Sequence, residues 1–286
     1  MIYDSLRYEY PEAERLVIIG DVHGDIKRFK NILIDAKIIN NELQWIAEPP
    51  NTIVIQMGDQ IDSANRSSEI KDWEVLDDVN MLYLTNTLDN IAKMKGGNVI
   101  SLIGNHELMN VMGIFAYVSK NSSYANRANA FKPTGSIASI LAKRPIIVKI
   151  GNLLFCHAGL KKSHIVFMEE RNKNIEYLNN IWSTYLKNGY FNDKEDLEIF
   201  NTIIGEGENG ILWSRIIDSE DDLKYVLQKT DTRYMFIGHN TVDNVKLLND
   251  IVWFTDTGIS RAYATSQYQY IDIKNRQVSL KTIVDK

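Results

Sequence analysis

Three times in its first half the chain runs through a short apolar segment and ends it with glycine followed at once by a residue able to bind a metal. The segments are residues 16–19 before Gly20-Asp21, 52–57 before Gly58-Asp59, and 98–103 before Gly104-Asn105. Short, largely β-branched runs bounded by glycine read as buried strands. Between the first two, Ile26, Phe29, Ile32, Leu33 and Ala36 recur at a helical period, and a second helix is predicted over 73–94, closed by Gly96-Gly97. A strand–helix–strand–helix–strand order implies parallel pairing with right-handed crossovers. In such sheets sites assemble outside the carboxyl ends of the strands, so Asp21, Asp59 and Asn105 are expected to face one crevice.

The second half is organised differently. Residues 146–149 and 153–156 flank Gly151-Asn152 as a hairpin that leads into His157-Ala158-Gly159. A partly polar helical region is expected over 163–200, then a loop over 205–210. Further strands are expected over 234–237, 245–248, 251–254, 268–273 and 278–283. With 286 residues, 44% of them hydrophobic, a sizeable core is within reach. No repeat or low-complexity linker divides the chain, so residues 1–286 are read as one domain. Helical cap segments are expected within 107–142 and 163–209.

A net charge of −5 argues against broad attraction to nucleic acid or an anionic membrane, and no run of apolar residues reaches membrane-spanning length. The amino-terminal residues lack a signal-peptide core, and the single cysteine, Cys156, suits a reducing compartment, so a cytoplasmic location is expected.

Only five histidines occur, and four of them, His23, His106, His157 and His239, sit beside glycine-containing turns after apolar runs. Imidazole and carboxylate without cysteine pairs suit Zn, Fe or Mn rather than a structural zinc site. A two-metal hydrolytic centre needs ligands on each ion and a bridging carboxylate. Asp21 and His23 are expected to hold one ion, Asn105, His157 and His239 the other, and Asp59 to bridge. Two such ions lower the pKa of a water between them, giving hydroxide as nucleophile, and clamp a phosphoryl oxygen. His106, with Asp62 on its other nitrogen, is then placed to protonate a leaving alkoxide; the alternative for Asp62 is a helix N-cap. The other readings are plainer. Asp25 is a helix cap, Cys156 a packed small hydrophobe, and His164, after Lys161-Lys162-Ser163, a surface residue. Asp256 either supports His239 or satisfies a turn. Trp73, Trp182 and Trp213 are divided between core and substrate groove, with core the commoner role. Residues 218–222 read as a solvated helix start.

The series Gly20-Asp21-Val22-His23-Gly24, Gly58-Asp59-Gln60-Ile61-Asp62, Gly104-Asn105-His106-Glu107, His157-Ala158-Gly159 and Gly238-His239 resembles the phosphoprotein-phosphatase branch of the calcineurin-like metallophosphoesterases. Glu107-Leu108-Met109-Asn110, Leu141-Ala142-Lys143-Arg144-Pro145, Leu212-Trp213-Ser214-Arg215 and Asp256-Thr257-Gly258-Ile259-Ser260 resemble its bacterial-type Shewanella-like subgroup. The resemblance implies an α/β metallophosphatase fold, a central β-sandwich flanked by helices with metals at the strand ends. It implies a phosphomonoesterase acting on phosphorylated proteins (serine, threonine or tyrosine). A dinucleoside polyphosphate hydrolase of the same fold, or a binding module that keeps the fold without turnover, are the alternatives. The family's arginine after Asp62 is replaced here by Ser63, and the first of its two glycines after His157 by Ala158, the second being kept as Gly159. The phosphate clamp is therefore expected from Arg215 first, or from Arg66, Arg144 or Arg127.

Overall fold

The computed structural model describes residues 6–66, 78–119, 126–205, 207–215 and 217–285. Strands β2 (Arg15–Ile19), β3 (Ile53–Gln56) and β4 (Asn98–Ser101) pair in parallel, as their order with helices α1 (Ile26–Asp35) and α2 (Asp78–Met94) requires. The antiparallel hairpin β10 (Gln267–Lys274) and β11 (Gln277–Val284) extends this sheet on the β2 side, giving the order β11-β10-β2-β3-β4. The part of the predicted second helix at 73–77 lies outside the described residues.

The second sheet has the order β1-β5-β6-β7-β9-β8. It contains β1 (Glu9–Tyr10), the hairpin β5 (Ile147–Ile150) and β6 (Leu153–Cys156), and β7 (Tyr234–Ile237), β8 (Lys246–Leu248) and β9 (Val252–Phe254). Strands β6, β7 and β9 run parallel to one another. The two-residue edge strand β1, paired parallel with β5, is one element the sequence pattern did not suggest.

Alternation along single strands shows why two sheets stack. Leu16 and Ile18 of β2 join Ile55 of β3, Phe155 of β6 and Phe236 of β7 in one buried cluster between the sheets. Val17 and Ile19, on the opposite face of β2, pack with Phe29, Ile32 and Leu33 of α1. The outer face of the six-stranded sheet is covered by helices from the regions 105–141 and 162–230. These are α3 (Asn105–Val111), α4 (Arg127–Phe131), α5 (Ala138–Leu141), α6 (Lys162–Glu169), α7 (Tyr177–Asn188), α8 (Lys194–Ile199) and α9 (Glu220–Thr230). A π-helical turn, Phe200–Ile204, continues α8. Trp182 of α7 is fully buried and donates its indole N–H to the Leu141 carbonyl, so it belongs to the core. No helix among the described residues is long and apolar enough to cross a membrane.

Candidate metal centre

Asp21, Asp59 and Asn105 follow β2, β3 and β4, and His157, His239 and Asp256 follow β6, β7 and β9. The carboxyl ends of six strands, three from each sheet, thus deliver polar side chains to one place. The glycines that precede these residues have a steric reason. A side chain on Gly104 would collide with the carboxylate and backbone of Asp59, and one on Gly238 with the carboxylate of Asp21. The turns themselves are tight: His23, Asp59, Asp62 and His239 all hold positive φ angles, between 39° and 67°. For residues with a Cβ that conformation is sparsely populated and is held here by surrounding bonds.

The hydrogen-bond pattern orients the imidazoles. His157 donates Nδ1–H to the Met57 carbonyl (2.8 Å), leaving Nε2 facing Asp59 Oδ2 at 3.3 Å and Asn105 Oδ1 at 3.1 Å. His23 turns Nδ1 to the Ile61 carbonyl (3.0 Å) and Nε2 toward Asp59 Oδ2 (3.9 Å). His239 turns Nε2 to the Trp213 carbonyl (3.0 Å) and Nδ1 to Asn105 Oδ1 (3.0 Å). In each ring one nitrogen is fixed by a backbone carbonyl while the other faces the cluster, the arrangement that ligating histidines adopt. Two trios of potential donor groups emerge, His23 with Asp59 and His106, and Asp59 with His157 and His239. Asp59 is common to both.

Asp21 stands beside these trios. Its Oδ2 accepts from the His239 backbone N–H (3.0 Å), while the buried Oδ1 has no hydrogen-bond partner and lies 4.0 Å from His157 Nδ1. A buried carboxylate oxygen without a donor is costly unless a cation answers it. The electrostatics point the same way. Burial, Asp256 and Asp59 hold the Asp21 carboxyl well above the usual range. Burial works against the charge on His157, yet Asp59 and Asp21 outweigh it and push that imidazole up to about 10. Burial and His157 pull His239 down to about 3, and burial with Arg66 lowers His23. The carboxylates therefore demand positive charge at this point, and the imidazoles of His23 and His239, held neutral beside them, offer lone pairs. The donor set fits divalent metal ions.

His106 opens α3 with its Nδ1 on Asp62 Oδ2 (3.0 Å) and its Nε2 3.9 Å from Asp59 Oδ2. Asp62 is fully buried and also accepts from Asn110 Nδ2 (2.8 Å) and Arg127 Nη2 (2.9 Å). Arg127 in addition pairs with Asp78 (2.9 Å), so the structure assigns it to bracing Asp62 and not to a phosphate clamp. Arg144 is likewise removed from the clamp. It is buried and spends its guanidinium on Gln60, Thr85 and the Leu82 carbonyl. Arg66, by contrast, lies at the imidazoles: its Nη2 is 2.5 Å from His106 Nε2 and 3.2 Å from His23 Nδ1. Tyr117 and Tyr263 flank its guanidinium, at 5.1 and 5.8 Å from the ring centres. Arg215 is exposed on the other flank, donating to the His239 carbonyl at 3.1 Å.

The remaining residues resolve as follows. Asp25 caps α1 through the Arg28 N–H (3.1 Å) and also pairs with Arg261. Asp256 accepts from the Gly258 N–H and the Thr241 hydroxyl, the turn-satisfying alternative. Cys156 is buried and its thiol is pushed up to about 12 by burial, as a packed hydrophobe. His164 departs from expectation. It is buried under the loop carrying Asn209, whose carbonyl its Nε2 meets at 2.6 Å. Trp213 is half-buried beside His239, and Trp73 lies outside the described residues. Glu107 carries a role that motif reading left unassigned. Its carboxylate accepts the backbone N–H groups of Asp59 (2.9 Å), Gln60 (2.8 Å) and Gly104 (2.8 Å), tying the turn after β3 to the start of α3.

Comparison with known proteins identifies the family. The family model described as Calcineurin-like phosphoesterase matches residues 14–243. Shewanella-like protein phosphatase 1 of Plasmodium berghei (strain Anka) is 26% identical over 99% of this chain and 77% of its own length. Shewanella-like protein phosphatase 2 of Arabidopsis thaliana is 24% identical over 95% and 78%. The crystal structure of a cold-active protein-tyrosine phosphatase from a psychrophilic Shewanella superposes with a TM-score of 0.75, covering 97% of this chain and 82% of that one. At 21% identity that likeness is one of fold.

Proposed function

The chain belongs to the calcineurin-like phosphoesterase family and is a metal-dependent phosphoric ester hydrolase, and on that premise we propose that it is a two-metal phosphomonoesterase acting on phosphorylated proteins. The observation that carries the reading is the placement of His106. Its Nδ1 is held by Asp62, and its Nε2 lies 3.9 Å from the Asp59 carboxylate common to both trios, with Arg66 alongside.

Asp21, His23 and Asp59 would hold one ion, and Asp59, Asn105, His157 and His239 the other. Two such ions, drawn from Mn, Fe or Zn, supply Lewis acidity that makes hydroxide available near neutral pH and neutralises phosphoryl oxygens. The chain's own residues do the rest. His106 gives the proton at Nε2 to the departing ester oxygen, while Asp62 fixes the ring and stabilises its charged form. Arg66 takes the phosphate oxygens on the His23–His106 side, in place of the arginine that Ser63 lacks, and Arg215 takes them on the His239 side. Tyr117 and Tyr263 restrict the rotamers of Arg66 by stacking. Residues 1–286 act in this reading as one domain, with the helical segments in 107–142 and 163–209 bordering the site.

The test is a panel of phosphoserine, phosphothreonine and phosphotyrosine peptides, an aryl phosphate, nucleotides and dinucleoside polyphosphates, with Mn²⁺ supplied. Phosphopeptide turnover should exceed that of the anhydrides, and Asp59→Asn and His106→Asn should each lower kcat by about 10²-fold or more while the unfolding midpoint holds. Preferential cleavage of dinucleoside polyphosphates would redirect the substrate assignment. Unchanged turnover in both variants would remove the mechanism, and an inert wild-type protein that binds metal would favour a binding module.

A further inference from the structure

Arg144, between α5 and β5, is a buried cation with no ion-pair partner among the described residues. Its bonds go to Gln60 Oε1, the Leu82 carbonyl (3.0 Å) and Thr85 Oγ1 (2.9 Å), with Asn86 Oδ1 at 3.4 Å, and all of these are neutral. Its Nε–H meets no acceptor. Among the described residues no carboxylate lies within ion-pair distance of it. Burial draws its pKa down to about 10, although Glu107 and Asp89 pull the other way from a distance. A desolvated guanidinium facing only dipoles is short of negative charge, and an unanswered buried N–H calls for an explanation.

That cation borders a cavity of about 320 Å³ between α2, β4 and residues 143–145. Lys93 and Lys143 also line it, against the single carboxylate of Asp89. Asp89 is already engaged by Lys93 Nζ (2.5 Å) and by the Val99 N–H (3.0 Å). Asn86, Asn90 and Ser101 add neutral polar groups to the wall. Ser101 accepts from Gln60 Nε2 at 3.0 Å, which leaves its own hydroxyl hydrogen to donate. The Lys93–Asp89 pair cancels, so the wall keeps an excess of two positive charges, from Arg144 and Lys143, together with several donors.

Two wall residues, Arg144 and Ser101, meet at the side chain of Gln60. The Gln60 backbone N–H binds Glu107, whose other carboxylate oxygen holds the Asp59 and Gly104 N–H groups. A change at the cavity therefore reaches the turn of Asp59 through two side chains. We infer that the cavity is a second binding site for a small oxyanion, a phosphate or carboxylate group, and that its occupancy is felt at the metal centre through Gln60 and Glu107.

The experiment is amide NMR of the zinc-loaded, diamagnetic protein titrated separately with inorganic phosphate and with succinate. At least one probe should move the Val99, Ser101 and Lys143 amides, followed by that of Gln60; which probe does so identifies the oxyanion. Lys93→Glu with Lys143→Glu, both exposed side chains, should weaken that response by about tenfold or more. Shifts around His23, His157 and His239 should persist in the double variant. Because the readout is binding, it stands apart from any failure of the phosphatase reading. The inference is overturned if neither probe moves those amides at about 10 mM. It is overturned equally if the double variant responds as the wild type does, or if the Gln60 amide stays still while the cavity fills.

Discussion

Glu107 offers a direct reading of how the fold holds its site, because two opposing effects meet on one buried carboxylate. It accepts three backbone N–H bonds, at 2.8–2.9 Å, from Asp59, Gln60 and Gly104. Against this, burial and the nearby Asp59 push its carboxyl up, so its charge is also a burden. Glu107→Ala strands three buried donors. At about 1–3 kcal/mol for each, with partial relief by water entering the vacated space, the cost is about 4–6 kcal/mol. Glu107→Gln keeps the shape and one acceptor oxygen. With the carbonyl turned to Asp59 and Gly104, one N–H is left facing an amide NH₂, a loss of about 2–3 kcal/mol. Relief of the repulsion from Asp59 offsets part of it, leaving a net cost of about 1–2 kcal/mol. Urea unfolding in the presence of a chelator measures both, free of any contribution from metal. Activity in Mn²⁺ should fall in the same order, since the Asp59 turn loosens. A glutamine variant as stable as the wild type, or more so, would show that charge repulsion outweighs the three bonds and refute the reasoning.

Two further expectations follow from the same geometry. Arg66→Lys should lower kcat/KM for a phosphopeptide by about 10²-fold, because an ammonium cannot reproduce the fork beside His106, whereas Arg215→Lys should cost about tenfold; the reverse order in steady-state kinetics would reassign the clamp. His164 is lowered by burial to about 4, so the unfolded chain, with an ordinary histidine near 6.5, takes up the proton first. Its contribution is present above pH 6.5 and is lost as pH falls through 4, a total of about 3 kcal/mol. Urea melts across that range should fall more steeply for the wild type than for His164→Gln, and parallel curves would contradict the assignment.

The parallel strands, their helical crossovers and the gathering of ligand-type residues at strand ends were legible because each is a local pattern. An apolar run, a glycine and a polar residue occupy consecutive positions, and sheet topology does the convergence. The glycines proved informative for a reason visible only in three dimensions: Gly104 and Gly238 are pressed by the carboxylates of Asp59 and Asp21. Side chains whose partners are distant in sequence were not legible. Arg144 and Arg127 read as candidates for the phosphate clamp, yet one is buried against α2 and the other is spent on Asp62 and Asp78. His164 follows two lysines and a serine, a polar context that reads as surface, but the loop near Asn209 folds over it. Arg66 could be named and not ranked, because its approach to His106 depends on the left-handed turn at Asp62 and Asn65.

A centre in which one carboxylate serves two ions is tested most directly by its metal stoichiometry. Tag-free protein, saturated with Mn²⁺ or Zn²⁺ and freed of excess, should carry two equivalents per chain by elemental analysis, and Asp59→Asn should lose at least one of them. One equivalent or fewer at saturation, or an unchanged content in Asp59→Asn, would contradict a centre built around Asp59.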